Sequence, residues 1–449
     1  MSQEGLRSRA TAALTPLNRP LTSYYLLLGT TGLLLAIGLV MVLSTSSASQ
    51  LYVGQPPYSD FLKQFLGALA GLAMMWLLSK LPVKVFRAVA YPMLLGTIAA
   101  LVIVLPFGKS VAGTERWIAI GGLTVQPSEF AKLAFLIWGA DLLARKERLG
   151  QLTDWRAVLV PLLPCATLIA MLVMLGNDLG TTFLLLVIFL ALLWVVGVPA
   201  RMFLAILALV LFALLILVEV GSYGGGRISD FLHPTAGGPV GPNQQSIQGQ
   251  WALGSGGLFG VGLGNGVQKW GWVPYANTDF IFAILGEELG LVGTACVVLL
   301  YGGLAYAGLR VARRVTDAFT RYAAVAAVAW IVGQALVNVC AVVGLLPITG
   351  VPLPLISQGL SSVIVTMAAI GMLLAFARNE PGAAEALAAV RRRRGLHMRV
   401  IAGRQRVRAE PATARAARRP AGPGRGRQGG SSRLASPDGL EWRNRSPGP

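Results

Sequence analysis

Residues 158–196 read VLVPLLPCATLIAMLVML, then GNDLG, then TTFLLLVIFLALLWVV, and Asp178 is the only charged residue among them. An apolar run of ~18 residues with few charges has the length of a membrane span. In lipid such a run must be helical, because every backbone N–H and C=O needs a partner within its own segment. The polar pentapeptide between the two runs is a tight turn, since Asn, Asp and Gly are turn formers and Thr181 can cap a helix. The stretch therefore predicts two antiparallel transmembrane helices.

The pattern repeats in both directions. Candidate spans cover 23–43, 61–79, 85–105, 130–143, 158–175, 181–196, 202–220, 280–309, 322–345 and 356–376. The fourth is short and could begin at Pro127, with polar residues in its first turn. The expected fold is an all-α integral membrane protein of about ten transmembrane helices. Composition agrees: 55% of the 449 residues are hydrophobic and 13% charged, against roughly 25% charged in a soluble domain. Three segments follow: an N-terminal segment 1–22, a polytopic membrane domain 23–377, and a basic tail 378–449 without the composition of a core.

Cations set the orientation. With the N-terminus in the cytoplasm, Lys80, Lys84, Arg87, Arg145, Lys146, Arg148, Arg156, Arg201, Arg310, Arg313, Arg314 and Arg321 all fall on the inner side. Only Lys63, Lys109, Arg116, Arg227 and Lys269 fall outside. An even number of spans returns the tail to the cytoplasm. The net charge of +19 is concentrated in that tail, which opens with Arg391–Arg394. Nothing in it resembles a folded nucleic-acid module, and a cytoplasmic tail held near anionic lipid headgroups accounts for it. Cys165, Cys296 and Cys340 sit inside apolar runs and read as small core residues. His233 and His397 are too far apart to suggest a zinc site.

Chemistry is expected on the outer segments 106–129, 221–278 (the one large loop) and 344–359. In the first, Arg116-Trp117 would suit a phosphate beside a lipid or sugar face. Glu129 and Lys132, three apart, share a helix face, as an ion pair or as substrate ligands. The large loop holds Arg227, Gln245, Ser246 and Lys269. Its glycine run 254–266 has no nucleotide-loop spacing, so the glycines are expected to permit close backbone approach. Asp279 stands where this loop enters the eighth span, as an N-cap or as an acidic group at a cavity. Glu287 and Glu288 lie two turns deeper, where a carboxylate is costly, which favours an acidic site facing a polar cavity. Gln334 and Asn338, four apart, are expected to make interhelical hydrogen bonds. The Pro-Gly segment that includes Ser357 reads as irregular backbone lining an outer cavity.

Taken in order, Arg116-Trp117, Gln126-Pro127-Ser128-Glu129-Phe130-Ala131-Lys132, Asp178-Leu179-Gly180-Thr181-Thr182, Thr278-Asp279-Phe280-Ile281-Phe282-Ala283, Gly286-Glu287-Glu288-Leu289-Gly290 and Pro352-Leu353-Pro354-Leu355-Ile356-Ser357 resemble the SEDS family (shape, elongation, division and sporulation) over roughly residues 20 to 380. The likeness is closer to its division branch, FtsW, than to its elongation branch, RodA, notably at Gly286. Departures from the family pattern include Asn177, Tyr275, Asn277 and Gln358-Gly359-Leu360. The resemblance implies a peptidoglycan glycosyltransferase that polymerises lipid II at the outer face of the bacterial cytoplasmic membrane, at the division septum. It also implies a class B penicillin-binding protein and other divisome membrane proteins as partners, and Asp279 as the catalytic residue. Asp279 would take the proton of the attacking hydroxyl. Arg116, Arg227 and Lys269, ranked in that order, would face the anionic leaving group. Trp117, Glu129, Lys132, Gln245, Ser246, Glu287 and Ser357 complete the expected substrate contacts. A divalent cation could share the work, but no ligand set identifies one. The alternatives are a lipid II flippase using Glu129, Lys132, Glu287 and Glu288 as a polar track, and a non-catalytic scaffold that recruits the transpeptidase.

Overall fold

The computed structural model describes residues 21–52, 54–111, 114–120, 123–220, 231, 244–383 and 385. The expected N-terminal segment up to residue 20, Arg227 and nearly all of the basic tail lie outside these residues. The helices are α1 (Thr22–Tyr52), α2 (Ser59–Leu78), α3 (Val83–Phe107), α4 (Pro127–Arg148), α5 (Trp155–Leu175), α6 (Leu179–Val196), α7 (Ala200–Val220), α8 (Gln244–Ser255), α9 (Ile281–Arg314), α10 (Ala318–Val343) and α11 (Leu360–Ala377). Among the described residues, eight of them are long and apolar enough to cross a membrane: α1, α2, α3, α5, α6, α9, α10 and α11. The protein is a multi-pass membrane protein.

The least apolar of the long helices is enclosed by other helices. α4 begins at Pro127, a residue suited to the first turn because its missing N–H would have no partner there. It carries Glu129, Lys132, Asp141 and Arg145, yet every residue from Ala131 to Ala144 is buried. It packs against α3, α5, α6, α10 and α11. A helix enclosed by other helices can hold charges if each meets a partner. Asp141, fully buried, binds Arg87 at 2.8 Å and Arg145 at 2.7 Å.

The segment between α3 and α4 departs from the all-α expectation. It forms a three-stranded antiparallel sheet, β1 (Lys109–Val111), β2 (Thr114–Ile120) and β3 (Leu123–Val125), in the order β1-β2-β3. Lys109 faces Trp117 and Ile118 faces Val125. The β-branched and aromatic residues of Thr114–Ile120 suit a pleated surface, and the segment is too short and polar to continue either flanking helix.

α9 is broken. Gly290 has φ 67° and ψ −164°, so two helices meet there. At ~1.5 Å per residue, the break lies about 15 Å below the start of the helix. Helix breaks at membrane depth survive only where other protein groups satisfy the freed backbone. Here the glycine-rich loop does so. Val261 and Gly262 donate to the carbonyls of Glu287 and Glu288 at 3.0 and 3.1 Å, and Leu291 and Val292 donate to the carbonyls of Gly257 and Leu258 at 2.9 and 3.2 Å. The approach is so close that a Cβ on Gly256 would collide with the Gly286 carbonyl, whereas one on Gly254 would meet nothing within 4 Å. The glycine run therefore permits backbone-to-backbone packing. We expect Gly256→Ala to destabilise the protein by about 1–3 kcal/mol, the usual cost of overpacking. Thermal unfolding in detergent would show it, with Gly254→Ala unchanged as the control.

Candidate functional site

α4, α6 and α11 begin around a cavity of ≈ 390 Å³, which the segment just before α9 also lines. Its wall includes Trp117, Gln126, Glu129, Asp178, Gln245, Tyr275, Thr278, Asp279, Thr349, Gly350 and Ser361. The three outer segments singled out in the sequence thus supply one site.

Asp279 is half-buried on this wall, immediately before α9. The capping position of α9 is Phe280, which makes no side-chain cap bond. The segment is held from two sides. Asn338 donates its amide to the Asp279 carbonyl at 2.7 Å and to the Val351 carbonyl at 2.7 Å. Ser357 donates its hydroxyl to the Thr278 carbonyl at 2.6 Å and accepts from the Leu353 N–H at 2.7 Å. Ser357, expected as a substrate contact, is buried and ties two backbone segments together. Gln334 and Asn338 were expected to join helices. Gln334 does so, accepting from Lys132 of α4 at 3.3 Å, and it also donates to the Pro352 carbonyl at 2.8 Å; Asn338 binds loop carbonyls only, because an irregular loop at this depth leaves carbonyls that need donors.

Asp178 was read only as a turn residue. It caps α6, accepting from the Thr181 N–H at 3.1 Å and its hydroxyl at 2.8 Å, so the cap is Asp178 and not Thr181. The same carboxylate accepts from Gln126 at 2.7 Å and Ser128 at 3.0 Å. It therefore fastens the start of α4 to the start of α6. The signal in the sequence was an Asp three residues before Thr181; its partners 50 and 52 residues away were not readable.

Glu129 and Lys132 form the expected pair at 2.8 Å. Lys132 is fully buried, 3.3 Å from the Gln334 amide oxygen and 5.0 Å above the Trp330 ring. One carboxylate oxygen of Glu129, Oε2, has no hydrogen-bond partner.

Glu287, Glu288 and Lys269 do not line the cavity. Glu287 accepts from the backbone N–H groups of Val267 and Gln268 at 2.8 and 3.2 Å. Lys269, 4% exposed, donates to Glu288 at 2.7 Å, Ser44 at 2.8 Å and the Gly264 carbonyl at 2.7 Å. Its three donors are occupied. The expectation that these carboxylates face a polar cavity, and that Lys269 meets the leaving group, is corrected accordingly: all three bind the loop to the broken helix. Gln245 lines the cavity and donates to the Pro274 carbonyl at 3.1 Å. Ser246 lies next to it and accepts from Gln250 at 3.4 Å, outside the cavity wall. Trp117 is on the wall. Arg116 lies in β2, but its side chain, like all of Arg227, lies outside what is described. Among the described residues, no three Asp, Glu, His or Cys converge closely enough to hold a metal.

Two positions that depart from the family pattern meet in space. The Asn277 amide donates to Gln358 Oε1 at 2.6 Å, and the Gln358 N–H donates to the Asn277 carbonyl at 2.9 Å.

Among the described residues, apolar helices of membrane-spanning length surround a polar, carboxylate-bearing cavity. Residues 24–381 match the FtsW/RodA/SpoVE family, described as a cell cycle protein. The chain is 41% identical over 379 residues to a probable peptidoglycan glycosyltransferase FtsW of Mycobacterium tuberculosis, covering 84% of this chain and 71% of that protein. It is 34% identical to stage V sporulation protein E of Bacillus subtilis, covering 77% and 94%. Among solved structures it is similar to a chain of a peptidoglycan synthase complex that coordinates polymerization and crosslinking (TM-score 0.63, 26% identity, 78% and 96% covered). It is also similar to the rod shape determining protein RodA of Thermus thermophilus (TM-score 0.59, 26% identity, 79% and 96% covered). The chain belongs to the FtsW/RodA/SpoVE family.

Lys269→Met should cost about 3–5 kcal/mol, since it leaves Glu288 buried without its cation. Adding Glu288→Gln should restore most of that stability, measured by thermal unfolding in detergent. If Lys269 instead served the leaving group, the double variant would regain stability and still fail to polymerise.

Proposed function

We propose that this protein is a peptidoglycan glycosyltransferase that polymerises lipid II into glycan strands, with Asp279 as the base. The observation that carries the assignment to Asp279 is its position: a half-buried carboxylate on the wall of the polar cavity, with its backbone pinned by Asn338 and, through Thr278, by Ser357. The relatives' printed names supply the reaction. The reaction joins a sugar hydroxyl of one lipid-linked disaccharide to the anomeric carbon of another, and polyprenyl pyrophosphate leaves. A hydroxyl is a poor nucleophile, and a placed carboxylate that removes its proton as the bond forms contributes ~10²–10⁴ in rate.

Ten spans are proposed, adding α4 and α7 to the eight long apolar helices. α4 is excluded from that set by its charges and α7 is apolar over Ala200–Phe212. Alternating direction through ten helices places the cavity at one end and Lys80, Lys84, Arg148, Arg156, Arg201, Arg314 and Arg321 at the other. By the positive-inside rule the cavity then opens to the outer leaflet. That is the leaflet a strand-building enzyme needs. Work at the bacterial cytoplasmic membrane, at the division septum, with a class B penicillin-binding protein and other divisome proteins, fits the FtsW names of the relatives and the synthase complex among similar structures. The tail beyond residue 378 is a cytoplasmic extension. Lys132, Gln245 and Trp117 act in or beneath the sugar-binding cavity, and Arg116 and Arg227 remain the proposed partners of the pyrophosphate.

The flippase alternative loses support because its polar track divides. Glu129 meets Lys132, which meets Gln334, while Glu287 and Glu288 meet the loop that carries the glycine run.

Purified protein with its cognate transpeptidase, fed lipid II, should yield glycan chains resolvable by length. Asp279→Asn, folded and partner-bound to the same extent, should lose ~10²–10⁴ in rate. Equal chain production by the variant would return Asp279 to a structural role.

A further inference from the structure

The cavity wall carries three carboxylates, Glu129, Asp178 and Asp279, and among its described residues no Lys or Arg. The nearest buried ammonium, Lys132, is engaged by Glu129. A pyrophosphate placed against such a wall would be repelled, since unit charges about 4 Å apart interact by several kcal/mol at the effective dielectric of a protein surface. Neutral sugar hydroxyls and acetamido N–H groups are hydrogen-bond donors and suit it.

The carboxylates differ in what they can still accept. Asp178 is engaged by Gln126, Ser128 and both donors of Thr181. Glu129 has one oxygen on Lys132 and the other, Oε2, without a partner, although the residue is only 3% exposed. A buried acceptor left unmatched is costly and calls for a donor. Glu288 also has an unmatched oxygen, but it lies off the cavity wall. The contact with Lys132 fixes the direction of the Glu129 carboxylate. Trp117, on the same wall, offers an apolar ring face.

Resting on the glycosyltransferase assignment above, we infer that this cavity seats the uncharged sugar end of the acceptor, the lipid-linked disaccharide whose hydroxyl attacks. In that arrangement Glu129 Oε2 accepts a hydroxyl or acetamido N–H of the sugar, and Asp279 faces the attacking hydroxyl. The donor's pyrophosphate lies outside the carboxylate wall. In the step, the hydroxyl oxygen forms a bond to the donor's anomeric carbon, and the carbon–oxygen bond to pyrophosphate breaks with its electron pair leaving on the pyrophosphate. The hydroxyl proton passes to Asp279. Glu129 takes no proton and acts as a specificity-determining ligand of the acceptor.

The test compares two inhibitors of chain growth from lipid II by the full chain with its transpeptidase: the methyl glycoside of an uncharged N-acetylated disaccharide, and inorganic pyrophosphate. Glu129→Gln should raise the inhibition constant of the disaccharide at least ~10-fold, the loss expected for a hydrogen bond to a charged group. The constant for pyrophosphate should stay within about twofold. If the amide variant does not fold, Glu129→Gln with Lys132→Met replaces the buried pair by uncharged groups of similar shape and is read the same way. An unchanged disaccharide constant, or tighter pyrophosphate inhibition once the carboxylate charge is removed, would overturn the inference by placing the donor in the cavity. Absence of chains from the wild type would instead overturn the glycosyltransferase assignment itself.

Discussion

A backbone group without a partner inside lipid costs several kcal/mol, and the break in α9 would release four of them. The glycine loop closes that account by giving Val261 and Gly262 N–H groups to Glu287 and Glu288, and by taking those of Leu291 and Val292 on Gly257 and Leu258. The loop cannot then lie elsewhere. Its path is set by the same four hydrogen bonds, by the side chain of Glu287 on the N–H groups of Val267 and Gln268, and by the buried Lys269–Glu288 pair. From Lys269 the chain runs ten residues to Asp279. The segment that carries the proposed base is consequently fastened at both ends, below by the broken helix and above by Asn338 and Ser357.

Two structural elements usually treated as defects in a membrane protein, a helix break and an irregular loop, thus stabilise each other. The Pro-rich segment works the same way. Its carbonyls at Val351, Pro352 and Pro354 accept from Asn338, Gln334 and the Tyr301 hydroxyl. Each donor comes from a helix interior, where a polar side chain needs a partner as much as the loop does. The cost of burying each group is offset by the other, which leaves the cavity wall rigid and pre-organised for chemistry that depends on placement.

The apolar runs were legible because the bilayer permits few solutions: a long run must be a helix. Pro127 announced the true start of α4, and the Glu129–Lys132 spacing announced their ion pair, because both are local. The sheet was missed, since Thr114–Ile120 is a single strand-like segment whose partners, three residues each, are too short to signal. Lys269 was assigned to the leaving group because its position in an outer loop carries no trace of Glu288, 19 residues on, or of Ser44, 225 residues back. The further contacts of Asp178 with Gln126 and Ser128, and of Ser357 with Thr278 and Leu353, were unreadable for the same reason. A side chain's chemistry is written locally, while whether its donors and acceptors remain available is decided by partners far along the chain.

α4 shows why the proposed chemistry falls at one end. Its charges sit near its two ends, Glu129 and Lys132 at the cavity and Asp141 with Arg145 at the other, and between them the sequence is Leu133-Ala-Phe-Leu-Ile-Trp-Gly-Ala140. All of these residues are buried, and Gly139 lets Leu192 of α6 pack close. Beneath the cavity, Lys132, Gln334 and Trp330 form a layer closed by mutual contacts. Below that layer the core is apolar from α4 to Leu185, Ile188 and Phe189 of α6. Carrying a charged headgroup through that apolar, packed region would require it to open and would bury charges without partners. Lys132 therefore lies at the floor of the proposed site. A one-sided site needs nothing beneath it but packing, which is what the sequence of α4 supplies.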